Sequence, residues 1–259
     1  MKIDRVILTS NNNENYYHFW NIVSKIYKIN FNITPTLIWF GNEEEIETLG
    51  LSKEYGDIIC QKPHEKYQVP WQTTWGLFYF TKFFKDEVCL TIGIDEIPLS
   101  KMFINDLIEK IDNDSYVTLI DDAYHTHWTI DGGVSPSAYH IAKGKTFDEI
   151  YNFEEDFFLE IEKVYQSKDS FYSEGEDKWG IDESYSSKKM RAFKNRNLIK
   201  SLGHFGMLVN RRIDCNRDKE PNYDVDLMKN GHYSEIHLCR PYTNHINYID
   251  TLIKQIPKY

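Results

Sequence analysis

Over its first 120 residues the chain alternates short apolar runs with segments of helical apolar spacing, which leaves few folds open to it. Arg5-Val6-Ile7-Leu8-Thr9-Ser10 is an apolar run entering a polar Asn11-Asn12-Asn13 turn. Across residues 16–29, Phe19, Ile22, Val23 and Ile26 recur with the period of an amphipathic helix. Residues 36–41 form a second apolar run, 43–49 a short helix with an acidic first turn that suits the helix dipole, and 57–60 a third run. Residues 72–84 are apolar around most of a helical circumference, as in a helix buried between layers. A fourth strand is expected over 87–94, an amphipathic helix over 101–111 and a fifth strand over 116–120. Strands alternating with helices predict an α/β, Rossmann-like single domain with a mainly parallel central sheet and helices on both faces. Ligands of such sheets sit at the carboxyl ends of the strands. That rule selects Thr9-Ser10-Asn11, Gly41-Asn42 and Asp95-Glu96.

The second half is less regular and has no internal repeat or low-complexity linker. Residues 135–145 read as loop and short strand, 147–165 and 181–198 as helices, and 171–178 as a polar loop. Ile246, Ile249, Leu252, Ile253 and Ile256 predict a final docked helix.

Charge narrows the partners. The chain has 40 acidic and 30 basic residues and a net charge of −10, against the basic surplus of a nucleic-acid binder, so no nucleic-acid polymer is expected. An acidic chain that binds phosphates must offset repulsion, and a divalent cation between carboxylates and phosphates would do so. Cys60, Cys89, Cys215 and Cys239 make no C-x-x-C pair, so neither a structural zinc site nor a disulfide scaffold is expected, and a reducing compartment fits. With no signal-peptide-like apolar region and no apolar run of spanning length, the expectation is a soluble, cytoplasmic protein without a membrane span. Neither a Gly-rich dinucleotide fingerprint nor a Walker loop occurs, which argues against a dehydrogenase or a kinase.

The chemistry centres on Cys89-Leu90-Thr91-Ile92-Gly93-Ile94-Asp95-Glu96-Ile97-Pro98-Leu99-Ser100, an apolar strand that delivers two carboxylates to its end. Carboxylates in that position can hold a hard divalent ion that bridges phosphates; an ordinary solvated turn is the plainer reading. The segment from Ile92 to Ser100 resembles the Asp-x-Asp strand end of GT-A-fold nucleotide-diphospho-sugar glycosyltransferases. Asp95 matches the second aspartate of that motif, and the first falls on Gly93. Glu96 is the other available carboxylate, although neighbours on a strand point to opposite faces.

Further segments resemble the same family in order. Leu8-Thr9-Ser10-Asn11 is similar to its first strand end at the nucleoside, and 71–84 to a helix flanking the nucleotide. Trp179-Gly180-Ile181-Asp182-Glu183 is similar to its Trp-x-x-Asp-Glu segment, and Glu235-Ile236-His237-Leu238-Cys239-Arg240-Pro241 to its C-terminal His segment.

The resemblance implies transfer of a sugar, of hexosyl type, from a nucleoside-diphosphate sugar such as a uridine diphosphate sugar to a glycan or other hydroxyl acceptor. Residues 1–120 would form the nucleotide-sugar-binding half and 121–259 the acceptor-binding and catalytic half. Thr9, Ser10, Asn11, Asp95 and Arg240 would hold the donor; Asp95, Glu96 and His237 would hold manganese or magnesium; Asp182 or Glu183 would act at the acceptor. On the residues alone, Asp182 and Glu183 could equally complement a helix dipole, and His237 could be a structural histidine. Lys143 and Lys145, and His204, are further candidates for the diphosphate pocket. Two other readings compete: a noncatalytic sugar-nucleotide or glycan-binding protein of the same fold, and a metal-dependent hydrolase using His125 and His127 beside Asp121 and Asp122. In the transferase reading Tyr124 and Trp128 would instead line the acceptor pocket.

Overall fold

Side chains on the central strands divide by parity. Val6 and Leu8, Leu37 and Trp39, and Val88 and Leu90 enter one apolar cluster. Ile7, Ile38, Phe40 and Cys89 enter another on the opposite face. This is the period-two alternation of a strand with both faces covered. It accounts for the near-continuous apolar runs in the sequence. The computed structural model describes residues 1–101, 106–120, 135–167, 180–203, 211–215 and 219–258.

The strands are β1 (Arg5–Ser10), β2 (Thr34–Phe40), β3 (Asp57–Gln61), β4 (Val88–Thr91), β5 (Glu96–Pro98), β6 (Tyr116–Thr118), β7 (His140–Lys143), β8 (Ile199–Ser201), β9 (Arg212–Asp214) and β10 (Glu235–His237). Among the described residues, one sheet runs β3-β2-β1-β4-β7-β6-β8 and a smaller one β5-β10-β9. The β3-β2-β1-β4 run is parallel, β7 lies antiparallel to both neighbours, and β8 is parallel to β6. The main sheet thus draws strands from both halves of the chain.

Helix α1 (Trp20–Phe31) and the last helix, Ile246–Ile253, feed Trp20, Val23, Tyr27, Ile249 and Leu252 into the first cluster. A short helix α2 (Glu43–Thr48) is closed by a capping box between Asn42 and Glu45. Helices α3 (Val69–Tyr79), α4 (Gly144–Tyr151), α5 (Phe157–Gln166) and α6 (Ile181–Ala192) cover the other face. Trp75, Phe78, Phe147 and Tyr151 are fully buried there. Among the described residues no helix is long and apolar enough to cross a membrane.

Several element bounds differ from the sequence reading for local reasons. The helix expected over 147–165 is two, because Asn152 takes a left-handed conformation that ends α4, and the Asp156 side chain caps α5 at Phe158 N and Leu159 N. The helix expected over 181–198 stops at Ala192, where Phe193 turns extended. Helix α3 begins earlier than expected, with Pro70 in its first turn, and tightens into a 3₁₀ turn at Phe80–Phe83. Of the helix expected over 101–111, residues 107–110 form a turn and 102–105 lie outside the described residues, as does the polar loop expected over 171–178. Cys215 and Cys239, which follow β9 and β10, are joined in a disulfide with Cα atoms 4.9 Å apart. That pairing was not foreseen from their spacing; Cys60 and Cys89 are free.

Beneath the α4 face lies a closed polar chain. Tyr116 Oη meets Tyr151 Oη at 2.6 Å and His140 Nδ1 at 2.9 Å, and His140 Nε2 donates to the Pro136 carbonyl at 2.6 Å. Burial of His140 lowers its pKa from 6.5 to about 4, against the pull of the Pro136 carbonyl. Unfolding restores the ordinary value, so the unfolded chain binds the proton more readily. Stability is then fully present above the unfolded pKa and is lost as pH falls from 6.5 towards 4, by about 3 kcal/mol from this residue. Urea unfolding across that window should give a steeper acid loss for the native chain than for His140→Gln; equal slopes would refute the assignment.

Candidate active site

One cavity of about 550 Å3 opens at the carboxyl ends of the central strands. Thr9, Ser10, Asn11, Asp95, Glu96, Asp182, Glu183, His237 and Arg240 all line it, although they come from four distant stretches of sequence. The end of β1 contributes Thr9 and Ser10, and the polar turn after it is held by Asn11 Oδ1 accepting from Asn13 N at 3.0 Å. The apolar run at 87–94 ends as a strand at Thr91, and a tight turn with Glu96 N on Gly93 O at 3.1 Å starts β5. Antiparallel pairing of β5 with β10 sets His237 opposite Glu96, and Leu238 N binds Asp95 O at 2.7 Å. The small sheet is therefore what brings residue 237 to residue 95.

Asp95 is buried and faces two cations through one oxygen. His237 Nε2 lies 3.0 Å and Arg240 Nε 3.3 Å from Asp95 Oδ2. The other ring nitrogen, His237 Nδ1, is 3.6 Å from Asp214 Oδ1. Burial disfavours the imidazolium, but the facing carboxylates of Asp214 and Asp95 outweigh it and raise the His237 pKa to about 10. Burial likewise opposes the Asp95 carboxylate; His237 and Arg240 overcome it, and its pKa falls below the ordinary value. Arg240 Nη1 donates to Tyr16 Oη, and the guanidinium lies 5.1 Å from the centre of that ring.

Glu96 turns away from this group. Its Oε2 accepts from Gly93 N at 2.8 Å, and its Oε1 meets Tyr139 Oη at 2.5 Å and Arg212 Nη2 at 3.2 Å. Tyr139 Oη also lies 2.9 Å from both oxygens of Glu235, which has Arg212 Nε at 3.3 Å. Burial dominates at Glu235 and pushes its pKa to about 7, with the Arg212 charge pulling the other way. Tyr139 holds a left-handed φ of 71°, rare for an aromatic residue; the Tyr139 N to Thr91 O bond at 2.7 Å and the hydroxyl contacts hold it there.

Asp182 and Glu183 stand in the first turn of α6. Gly180 opens that helix with φ 80°, a conformation that side chains other than glycine's resist. Asp182 Oδ2 accepts from Ser137 Oγ. Burial raises the Asp182 pKa, against the hydrogen bonds from Ser137 and the helix-start amides.

No protein-family model matches the chain, and no curated protein matches it by sequence. Solved structures do match in shape. The galactosyltransferase LgtC, in complex with donor and acceptor sugar analogs, aligns over 98% of this chain and 97% of its own, with TM-score 0.53 and 12% identity. The glycosyltransferase GlyE of Streptococcus pneumoniae aligns over 99% of this chain at 12% identity and TM-score 0.43, and the chain spans 52% of its length. S. aureus TarS aligns over 78% of this chain and 58% of its own length, at 14% identity and TM-score 0.42. The chain has a GT-A fold. At such identities the likeness concerns the fold alone.

Within this GT-A fold, the residues expected at a metal can be tested as a donor set. Asp95 and His237 converge, but both Glu96 oxygens are occupied within the protein. Position 93, where the resemblance expects a carboxylate, carries none; a Cβ there would lie 2.8 Å from Glu96 Oε2 and 3.0 Å from Asp95 Oδ1. Among the described residues no group of three or more His, Cys, Asp or Glu side chains is arranged to hold an ion. Among the described residues, therefore, the donors do not make a complete ligand set for a divalent metal.

Lys143 and Lys145 do not reach the cavity. Lys143 pairs with Val88 at the amino end of β4, away from the cavity, and both lysines face Asp114, at 2.8 and 3.7 Å. His125, His127, Asp121, Asp122, Tyr124, Trp128, Trp179 and His204 lie outside the described residues. The sequence reading missed Tyr16, Ser137, Tyr139, Arg212 and Glu235. For Glu235 the signal was present, since it sits two residues before His237 on a strand and so shares its side; the others join across long separations and leave no local pattern.

Proposed function

We propose that this GT-A chain transfers a glycosyl group from a nucleoside-diphosphate sugar to an acceptor hydroxyl. The observation that carries the reading is the single cavity that gathers the Thr9-Ser10-Asn11 turn, the Asp95–His237–Arg240 group and the Asp182–Glu183 helix start. Cations beside a polar strand-end turn suit a diphosphate and its nucleoside. A buried carboxylate with a raised pKa, across the same cavity, suits removal of a proton from an acceptor hydroxyl. A uridine diphosphate hexose is the first donor to try, and a glycan the first acceptor.

A panel of nucleoside diphosphates in a thermal-shift assay tests the reading. A bound member at about a hundredfold its Kd should raise the melting temperature by about 5–10 °C. If none raises it, the donor assignment is wrong. If one binds but no sugar donor is transferred or hydrolysed, the chain is a binder of sugar nucleotides and not a transferase.

A further inference from the structure

We infer that the negative charge of a bound diphosphate is met in this chain by the Arg240 guanidinium, and not by a bridging divalent ion. The inference deepens the transferase reading and rests on it.

The first ground is the state of Asp95. A divalent ion on a carboxylate sits about 2.0–2.6 Å from the oxygen. Asp95 Oδ2 already has His237 Nε2 at 3.0 Å and Arg240 Nε at 3.3 Å. An ion there would press against the Arg240 guanidinium and crowd the His237 ring.

Arg240 supplies the second ground. Among the described residues its guanidinium has one hydrogen-bond acceptor, Tyr16 Oη. Its Nε is buried without a hydrogen-bond partner, although Asp95 lies close by as a charge. A planar fork with spare donors on a cavity wall matches the oxygens of a phosphate. Arg212, the other arginine on that wall, likewise has an Nε without a hydrogen-bond partner, but its Nη2 donates to Glu96 and its charge faces Glu235 and Asp214 as well.

Third, the small residue at position 93 fits this arrangement. A side chain there would be driven towards the Glu96 and Asp95 oxygens, while the Gly93 amide serves as the donor that holds Glu96 aside.

In the transfer itself the bond between the sugar C1 and the diphosphate oxygen breaks, and its electron pair leaves on that oxygen beside Arg240. A new bond forms between C1 and the acceptor oxygen, whose proton passes to the Asp182 carboxylate. Charge and atoms balance with no further reactant.

Calorimetric titration of the native chain with inorganic pyrophosphate, once with EDTA and once with excess manganese, tests the inference without any variant. The affinity should agree within about twofold between the two conditions, and Arg240→Gln should weaken it by about 10–100-fold. Should Arg240→Gln fail to fold, the comparison on the native chain decides. Affinity that rises tenfold or more with manganese and is lost in EDTA would overturn the inference and leave the transferase reading intact (the tenfold mark being about 1.4 kcal/mol). Metal-independent pyrophosphate binding with no turnover of any sugar donor would do the reverse. Pyrophosphate that binds in neither condition would overturn both.

Discussion

Asp182→Asn should lower the rate of sugar transfer by about 10²–10⁴-fold while nucleoside-diphosphate affinity stays within about twofold. The asparagine keeps the size of the side chain and an oxygen to accept from Ser137 Oγ, so the first turn of α6 keeps its shape. What it loses is the lone pair that can take a proton. Asp182 is 3% exposed, and burial raises its pKa, which makes its carboxylate a stronger base than a solvated one. Steady-state kinetics with donor and acceptor, beside calorimetry with the nucleotide alone, separates the two effects. A variant that transfers at the native rate, with Glu183→Gln inactive, would move the base to Glu183.

Arg212→Met should destabilise the fold by about 3–5 kcal/mol, the larger structural effect expected of any single change around the cavity. Arg212 is the cation shared by Glu96 at 3.2 Å and Glu235 at 3.3 Å, and both carboxylates are buried. Removing it strands two negative groups beneath Tyr139. The loss should also depend on pH. Glu235 has a folded pKa near 7, above its unfolded value, so its contribution is fully present below the unfolded pKa and is lost as pH rises through 7. Without Arg212 that folded pKa climbs further. The variant should therefore suffer more above neutrality than in mild acid, where Glu235 carries its proton. Urea unfolding of Arg212→Met, Glu235→Gln and the double variant measures the coupling. Additive effects would mean that the ion pair contributes nothing.

The parallel core of the fold was legible because its strands are buried on both faces and its helices on one. Arg5–Ser10 is read from sequence with the bounds that the structure has. Where local chemistry competes with periodicity the reading fails, as at Asn152, whose left-handed turn splits a continuous apolar pattern in two. The candidate site was legible at its strand and helix ends, since those positions follow from the alternation itself. Its charge pairing was not. Arg212 and Glu96 are 116 residues apart, and their meeting depends on the β5-β10-β9 pairing, which a chain of short three-residue strands does not announce. The turn of Glu96 away from Asp95 is not strand alternation, since Asp95 lies in the turn before β5; the Gly93 amide, Tyr139 and Arg212 hold Glu96 aside.

The small sheet has a consequence for how such a chain can diverge. Because β5, β10 and β9 carry Glu96, His237 and Arg212, and the Cys215–Cys239 bond ties the ends of β9 and β10, a change of electrostatics at that wall is also a change of fold stability. The opposite wall is built differently. A second hollow of about 330 Å3 adjoins the first at Asn11 and is lined by Asn42, Lys62, His64 and Tyr67, all outside the strands and helices. Loop positions tolerate substitution and insertion far better than paired strands. Descendants of this sequence should therefore acquire new ligand preferences through Asn42 and the loop at residues 62–68, and keep the charged wall almost unaltered.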